Sequence, residues 1–334
     1  MTHARTFVAT SILHIVFGTC RAFADTGAAE WLFISSFDDG LFAQAQNVRI
    51  ERPDGSELPA RLYGPAEPNG AAVVMMHGCS GQWSQGEPWT VAQGAIEKWG
   101  VKLAQSGYFA LAIDSYTSRT PAGVDPRDFQ QQCAGDVHEG AVDPYTTRVA
   151  DMELGIAWLR YHVGAAATAR IGALGWSQGA QSVLVRSAET YMNANVSRFD
   201  EPADEVSAQL ASVVFYPGCG TNLGFVEGSG AGSSYWRPHR DLRLNHGGAD
   251  SLHASCADRA DIAIGAYDSV PGSGHAVAYV EYPGAHHSFD GAITEWPATR
   301  CDPDASPSDF CAASDADISS LEFFSNRLGQ QSNP

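Results

Sequence analysis

Five residues near the middle of the chain, Gly175-Trp176-Ser177-Gln178-Gly179, carry the G-x-S-x-G spacing of a serine presented for nucleophilic attack. The spacing matters because such a serine sits on a sharp strand-to-helix turn. Flanking glycines leave room for neighbouring backbone, and the N-terminus of the following helix favours negative charge developing nearby. A serine hydroxyl is a weak nucleophile until a base takes its proton. The remaining requirements are an acid and then a histidine, each after a later strand. Asp250, following Gly247-Gly248-Ala249, meets the first, with Asp241 and Asp258 as competitors. Tyr282-Pro283-Gly284-Ala285-His286-His287-Ser288-Phe289 supplies the second. His287 is preferred because Phe289 can anchor its loop, which leaves His286 as a structural neighbour or a pocket-lining residue. Two backbone N–H groups must receive the transition-state charge. Gln178 provides one by following the nucleophile. Cys79, in the loop His77-Gly78-Cys79-Ser80-Gly81, provides the other by position, with His77 bracing the loop. Such a set performs acyl transfer to serine, followed by hydrolysis.

These residues need a scaffold that brings strand ends together. Strand patterns at 47–52 and 57–63 read as an antiparallel edge. Apolar runs at 71–77, 109–113 and 170–174 read as buried strands, followed by strands at 211–216, 242–246 and 276–282. Helical patterns fall at 90–106, where Gly107 is a stop, at 145–163, from the serine turn to about 192, and at 318–328. The alternation predicts an α/β fold with a mostly parallel central sheet and helices on both faces, and the Ser177 turn with its serine, acid, histidine order makes the expectation an α/β-hydrolase fold. Connections at 115–144 and 220–241 are long for a single domain and follow strand ends, where α/β ligands bind. Trp83, Tyr116 and Trp176 are the aromatics placed to line an acyl or aromatic pocket.

The N-terminus reads as a cleavable leader: Arg5, an apolar stretch at 7–19, and Ala22-Phe23-Ala24 before Asp25. Cleavage after Ala24 leaves 310 of the 334 residues as one domain, 25–334, in a secreted or periplasmic compartment. The two arginines lost with the leader reduce the basic residues from 20 to 18 against 38 acidic ones, a net charge of −20. That charge disfavours nucleic acid and anionic membranes as partners. A small ester is the expected partner, and oligomeric state is not legible. Six cysteines remain: Cys79, Cys133, Cys219, Cys256, Cys301 and Cys311. Their even number in an oxidising compartment suggests disulfides. Cys301 and Cys311 are close enough to staple one loop, Cys133 can reach Cys79 from the neighbouring strand's loop, and Cys219 can pair with Cys256. No cysteine or histidine spacing suits zinc, so no metal is expected.

Taken together, His77-Gly78-Cys79-Ser80-Gly81, Gly107-Tyr108, Asp114-Ser115-Tyr116, Arg148-Val149-Ala150-Asp151, the Ser177 turn, Phe215-Tyr216-Pro217-Gly218-Cys219 and Tyr282-Pro283-Gly284-Ala285 with His287-Ser288-Phe289 resemble the dienelactone hydrolase family. The likeness is strongest to its secreted, cysteine-containing members. The resemblance implies an α/β-hydrolase fold and cofactor-free hydrolysis of esters or lactones. The best-known members use a cysteine nucleophile, a glutamate in the oxyanion loop and an arginine after the histidine. Here Ser177, Gly78 and Asp290-Gly291 stand instead, with Arg119 as a substitute for a second recognition arginine. An extracellular polyester or aryl-ester depolymerase is the alternative within the same chemistry. A non-catalytic secreted binding protein is the alternative outside it.

Overall fold

The centre of the sheet is the run Ala71–Met76 (β3), six consecutive residues buried on both faces. Ala72, Val74 and Met76 point into one apolar core, and Ala71, Val73 and Met75 into another. A strand covered on both sides has to be apolar throughout, which is why its sequence lacks alternation. Around it lie Gln44–Glu51 (β1), Glu57–Gly64 (β2), Phe109–Ile113 (β4), Arg170–Trp176 (β5), Gln209–Phe215 (β6), Asp241–Gly247 (β7) and Val277–Tyr282 (β8). The spatial order is β1-β2-β4-β3-β5-β6-β7-β8. Only the pairings of β2 with β1 and with β4 are antiparallel, so β2 alone runs against the rest. The computed structural model describes residues 44–84, 92–133, 140–188, 209–219, 238, 240–268 and 277–329. The leader at 1–24 and most of the 220–241 connection lie outside these residues.

Parallel neighbours need crossovers, and helices supply them. Gly94–Gln105 (α1) and Asp309–Leu328 (α6) bury Trp99, Leu103, Ala312 and Phe324 against one face. Thr147–His162 (α3) and Gln178–Ser187 (α4) bury Met152, Ile156, Val183 and Leu184 against the other. Pro126–Phe129 (α2) is a single turn capped by Asp125, whose side chain accepts from the Arg127 N–H. His253–Asp268 (α5) packs beside β8. Leu41–Pro334 forms one compact unit. Among the described residues no helix is long and apolar enough to cross a membrane.

Three sequence expectations change. α1 starts at Gly94 rather than 90 because Ala92 pairs with Trp83 in a short bridge. α6 starts nine residues before 318, where the Ser308 side chain caps it by accepting from the Cys311 N–H. Its first turns bury Cys311, three alanines, Ser314 and Asp317, a small and partly polar set that leaves little apolar periodicity. α5 was not anticipated, because its alanines alternate with aspartate and arginine instead of forming a stripe.

Candidate active site

β5 ends at Trp176, and the chain turns at Ser177 straight into α4. Ser177 adopts φ 48°, a left-handed value that costs a side-chain-bearing residue of order 1–3 kcal/mol. Its N–H donates to Phe215 O at 3.0 Å, which ties the turn to β6. The flanking glycines are required by contact. A Cβ on Gly179 would lie 2.2 Å from Met76 O, and one on Gly175 would lie 2.7 Å from Gly179 O. The turn therefore presses α4 onto the ends of β3 and β5 and leaves the Ser177 hydroxyl above the sheet.

The structure brings Ser177, His287 and Asp250 together. His287 Nε2 is 3.0 Å from Ser177 Oγ, and its Nδ1 is 2.7 Å from Asp250 Oδ2. With a carboxylate accepting at Nδ1, that nitrogen carries the proton and Nε2 offers its lone pair to the serine O–H. Asp250 is buried in the turn after β7, where its other oxygen accepts from the Leu252 N–H at 2.9 Å. Asp241 stands at the opposite end of β7 and pairs with Arg327 at 2.6 Å, and Asp258 lies within α5. Tyr216 sets its ring edge against His287 at 4.8 Å between centroids. His246 approaches Asp250 Oδ2 from behind at 3.6 Å, and burial lowers its pKa.

The other half of the site is the loop after β3. His77 is fully buried, and burial, aided by Arg148, holds its pKa well below the ordinary range. Its neutral ring accepts from the Ser115 N–H at Nε2 (3.2 Å), so Nδ1–H donates to Gly78 O (2.6 Å). Turning that carbonyl toward His77 turns the N–H of the same trans peptide, that of Cys79, the opposite way. Arg148, also fully buried, donates to His77 O and to Gln178 Oε1 (3.0 Å), and it packs over the Tyr116 ring. One guanidinium thus holds both segments that offer backbone donors. Nothing in the local sequence around Arg148 announced this. Arg148→Met is expected to lower kcat by roughly 100-fold with KM changed by less than about threefold, because misplacing the expected oxyanion donors of Cys79 and Gln178 weakens binding of the transition state alone. Steady-state kinetics beside a melting curve checks it.

A cavity of about 510 Å³ opens over Ser177, within the size range of small-ligand sites. Its walls include Cys79, Trp176, Tyr216, Leu252, His287 and Asp290. Against this background the dienelactone hydrolase family model matches residues 58–217, which hold the loop after β3 and the Ser177 turn.

Residues 58–217 belong to the dienelactone hydrolase family.

No curated protein matches the chain, whereas solved structures resemble it widely. A Klebsiella pneumoniae protein described as a dienelactone hydrolase superposes with a TM-score of 0.56 at 17% identity, covering 88% of this chain and 100% of its own. Esterase 2 of Thermogutta terrifontis, with butyrate bound, gives 0.54 at 16%, over 87% and 96%. A dienelactone hydrolase-like promiscuous phosphotriesterase from metagenomic libraries gives 0.52 at 16%, over 86% and 99%. At these identities the likeness establishes the shared α/β-hydrolase fold.

Trp176 lines the cavity. Trp83 does not: it is fully buried, and its indole N–H donates to Asp114 Oδ2. Tyr116 is buried behind the site, its hydroxyl given to Gln178 Oε1. Arg119 is held by Asp151 in a two-pronged contact of 2.7 and 2.8 Å and by Ser115 O, so it is not available for substrate. The His286 side chain is 69% exposed beside Asp309 and lies outside the cavity wall. Sequence reading missed Asp290, whose carboxylate accepts from the Trp176 indole N–H (2.8 Å) and the Tyr216 hydroxyl. Burial and this carboxylate push the Tyr216 phenol well above its usual range and keep it a donor. The disulfides are Cys79–Cys133, Cys219–Cys256 and Cys301–Cys311. The first holds the loop after β3, the second ties the segment after β6 to α5, and the third ties the loop before α6 to that helix.

Proposed function

We propose that the protein is a serine hydrolase of carboxylic esters or lactones, secreted or periplasmic after loss of residues 1–24. The observation that carries this reading is the continuous line from Asp250 Oδ2 through His287 to Ser177 Oγ, with contacts of 2.7 and 3.0 Å, at a strained turn beneath an open cavity. In the proposed reaction Ser177 Oγ bonds to the ester carbonyl carbon while its proton passes to His287 Nε2. Asp250 stabilises the imidazolium, and the Cys79 and Gln178 N–H groups receive the oxyanion. Collapse breaks the bond to the alcohol oxygen, which leaves with the proton from His287. Water, deprotonated by the same ring, then attacks the acyl-enzyme, releasing the acid and restoring Ser177. Three disulfides support an oxidising compartment, and the acidic charge supports a small neutral substrate over nucleic acid or anionic membrane.

A fluorophosphonate probe is expected to modify one residue, Ser177, mapped by peptide mass, and p-nitrophenyl butyrate is expected to be hydrolysed until the probe is added. Folded protein that neither takes the label nor turns over the ester would overturn this reading and leave a binding role.

A further inference from the structure

Asp290 occupies an unusual position for a charged group. It is 1% exposed, it forms part of the cavity wall, and both its carboxylate oxygens accept from neutral donors, the Trp176 indole and the Tyr216 hydroxyl. Among the described residues no cation forms an ion pair with its carboxylate. Lys98 Nζ reaches only the main-chain oxygen of Asp290, at 3.1 Å, and forms its ion pair with Asp317 at 2.7 Å. Among the described residues that line the cavity none is lysine or arginine. Arg119, the basic side chain on the oxyanion side, is already bound to Asp151. The reactive cavity thus has a fixed negative charge in its wall and no fixed positive charge.

We infer that Asp290 sets substrate charge: the site accepts esters and lactones that are neutral throughout and rejects those carrying a carboxylate. This rests on the proposed esterase reading and narrows it. Two like charges about 6 Å apart at an effective dielectric of about 20 repel strongly enough to discriminate by roughly 100-fold. The same carboxylate fixes Trp176 and Tyr216, so charge selection and the shape of the wall reside in one residue.

Matched substrates test this on both sides of the scissile bond. One pair is 4-carboxyphenyl and 4-carbamoylphenyl butyrate. The other is the p-nitrophenyl ester of adipic acid monoacid and that of its monoamide. For the pair whose varied group faces Asp290, the neutral member is expected to have a kcat/KM about 10- to 100-fold higher. Asp290→Asn keeps an acceptor for the indole and can donate to the Tyr216 oxygen, and is expected to shrink that ratio about tenfold. Thr294→Lys, at an exposed position of the same wall, is expected to shrink it as well and does not disturb buried contacts. Equal turnover of both members in both pairs by the wild type, or a ratio unmoved by either substitution, would overturn the inference. If no ester is turned over and Ser177 takes no fluorophosphonate, the esterase reading itself has failed. Labelled enzyme without charge preference condemns only the role of Asp290.

Discussion

His287→Ala is expected to lower kcat for ester hydrolysis by about 10⁴- to 10⁶-fold, while His286→Ala leaves kcat/KM within about twofold. The residues are adjacent, and the backbone separates their roles. The His286 N–H donates to Asp309 Oδ1 at 2.7 Å, which faces that residue outward. His287 is turned inward between Ala285, whose carbonyl accepts from the Ala249 N–H at 2.9 Å, and Ser288, which adopts φ 62°. Without the imidazole the Ser177 proton has no acceptor, and only the backbone donors and binding remain to accelerate the reaction. Initial rates with p-nitrophenyl butyrate distinguish the two. A large loss in His286→Ala with little in His287→Ala would reverse the assignment and break the proposed triad.

Lys98→Met is expected to destabilise the fold by about 3–5 kcal/mol, the usual result of removing one partner from a buried ion pair. Lys98 and Asp317 side chains are 1% and 0% exposed and 2.7 Å apart, and the Trp99 indole donates to Asp317 as well. Burial pushes the Asp317 carboxyl up to about 7 even beside that cation. The sign of the pH effect follows. An acid whose folded pKa lies above its unfolded value takes up a proton on folding, so its contribution is full below about pH 4 and is lost as pH rises through the folded value. Without Lys98 the folded value moves higher still, and the cost is larger near about pH 8 than near about pH 5. Urea denaturation at both pH values measures it. A loss below about 1 kcal/mol at each would show the pair to be dispensable. Lys98 also donates to Ile293 O at 3.4 Å, so the same variant loosens the segment that carries Asp290.

How much was legible in the sequence depended on the range of each interaction. β3 and β4 could be read because strands covered on both faces are continuously apolar. The Ser177 turn could be read because its glycines answer contacts within a few residues and with the adjoining strand. Asp250 and His287 could be named from chain order and their places after β7 and β8. Side chains whose partners lie far along the chain could not be read. Lys98 meets Asp290 across 192 positions and Arg148 meets His77 across 71, and no local pattern encodes either. The same limit explains Trp83 and Arg119. Position in the loop after β3 suggested a pocket role for Trp83 and the family resemblance suggested one for Arg119, whereas Asp114 and Asp151 claim their polar groups inside the protein.

The three disulfides join each described cysteine to the next one along the chain, with none nested in or crossing another. With Cys20 lost in the proposed leader, a polypeptide emerging N-terminus first presents Cys79, Cys219 and Cys301 each with its native partner as the next thiol to appear. Oxidation in order of arrival produces the finished set, and no mixed pairing needs to be undone by thiol exchange. Under the proposed secretion, sequential pairing of this kind calls for an oxidant and leaves a disulfide isomerase nothing to correct.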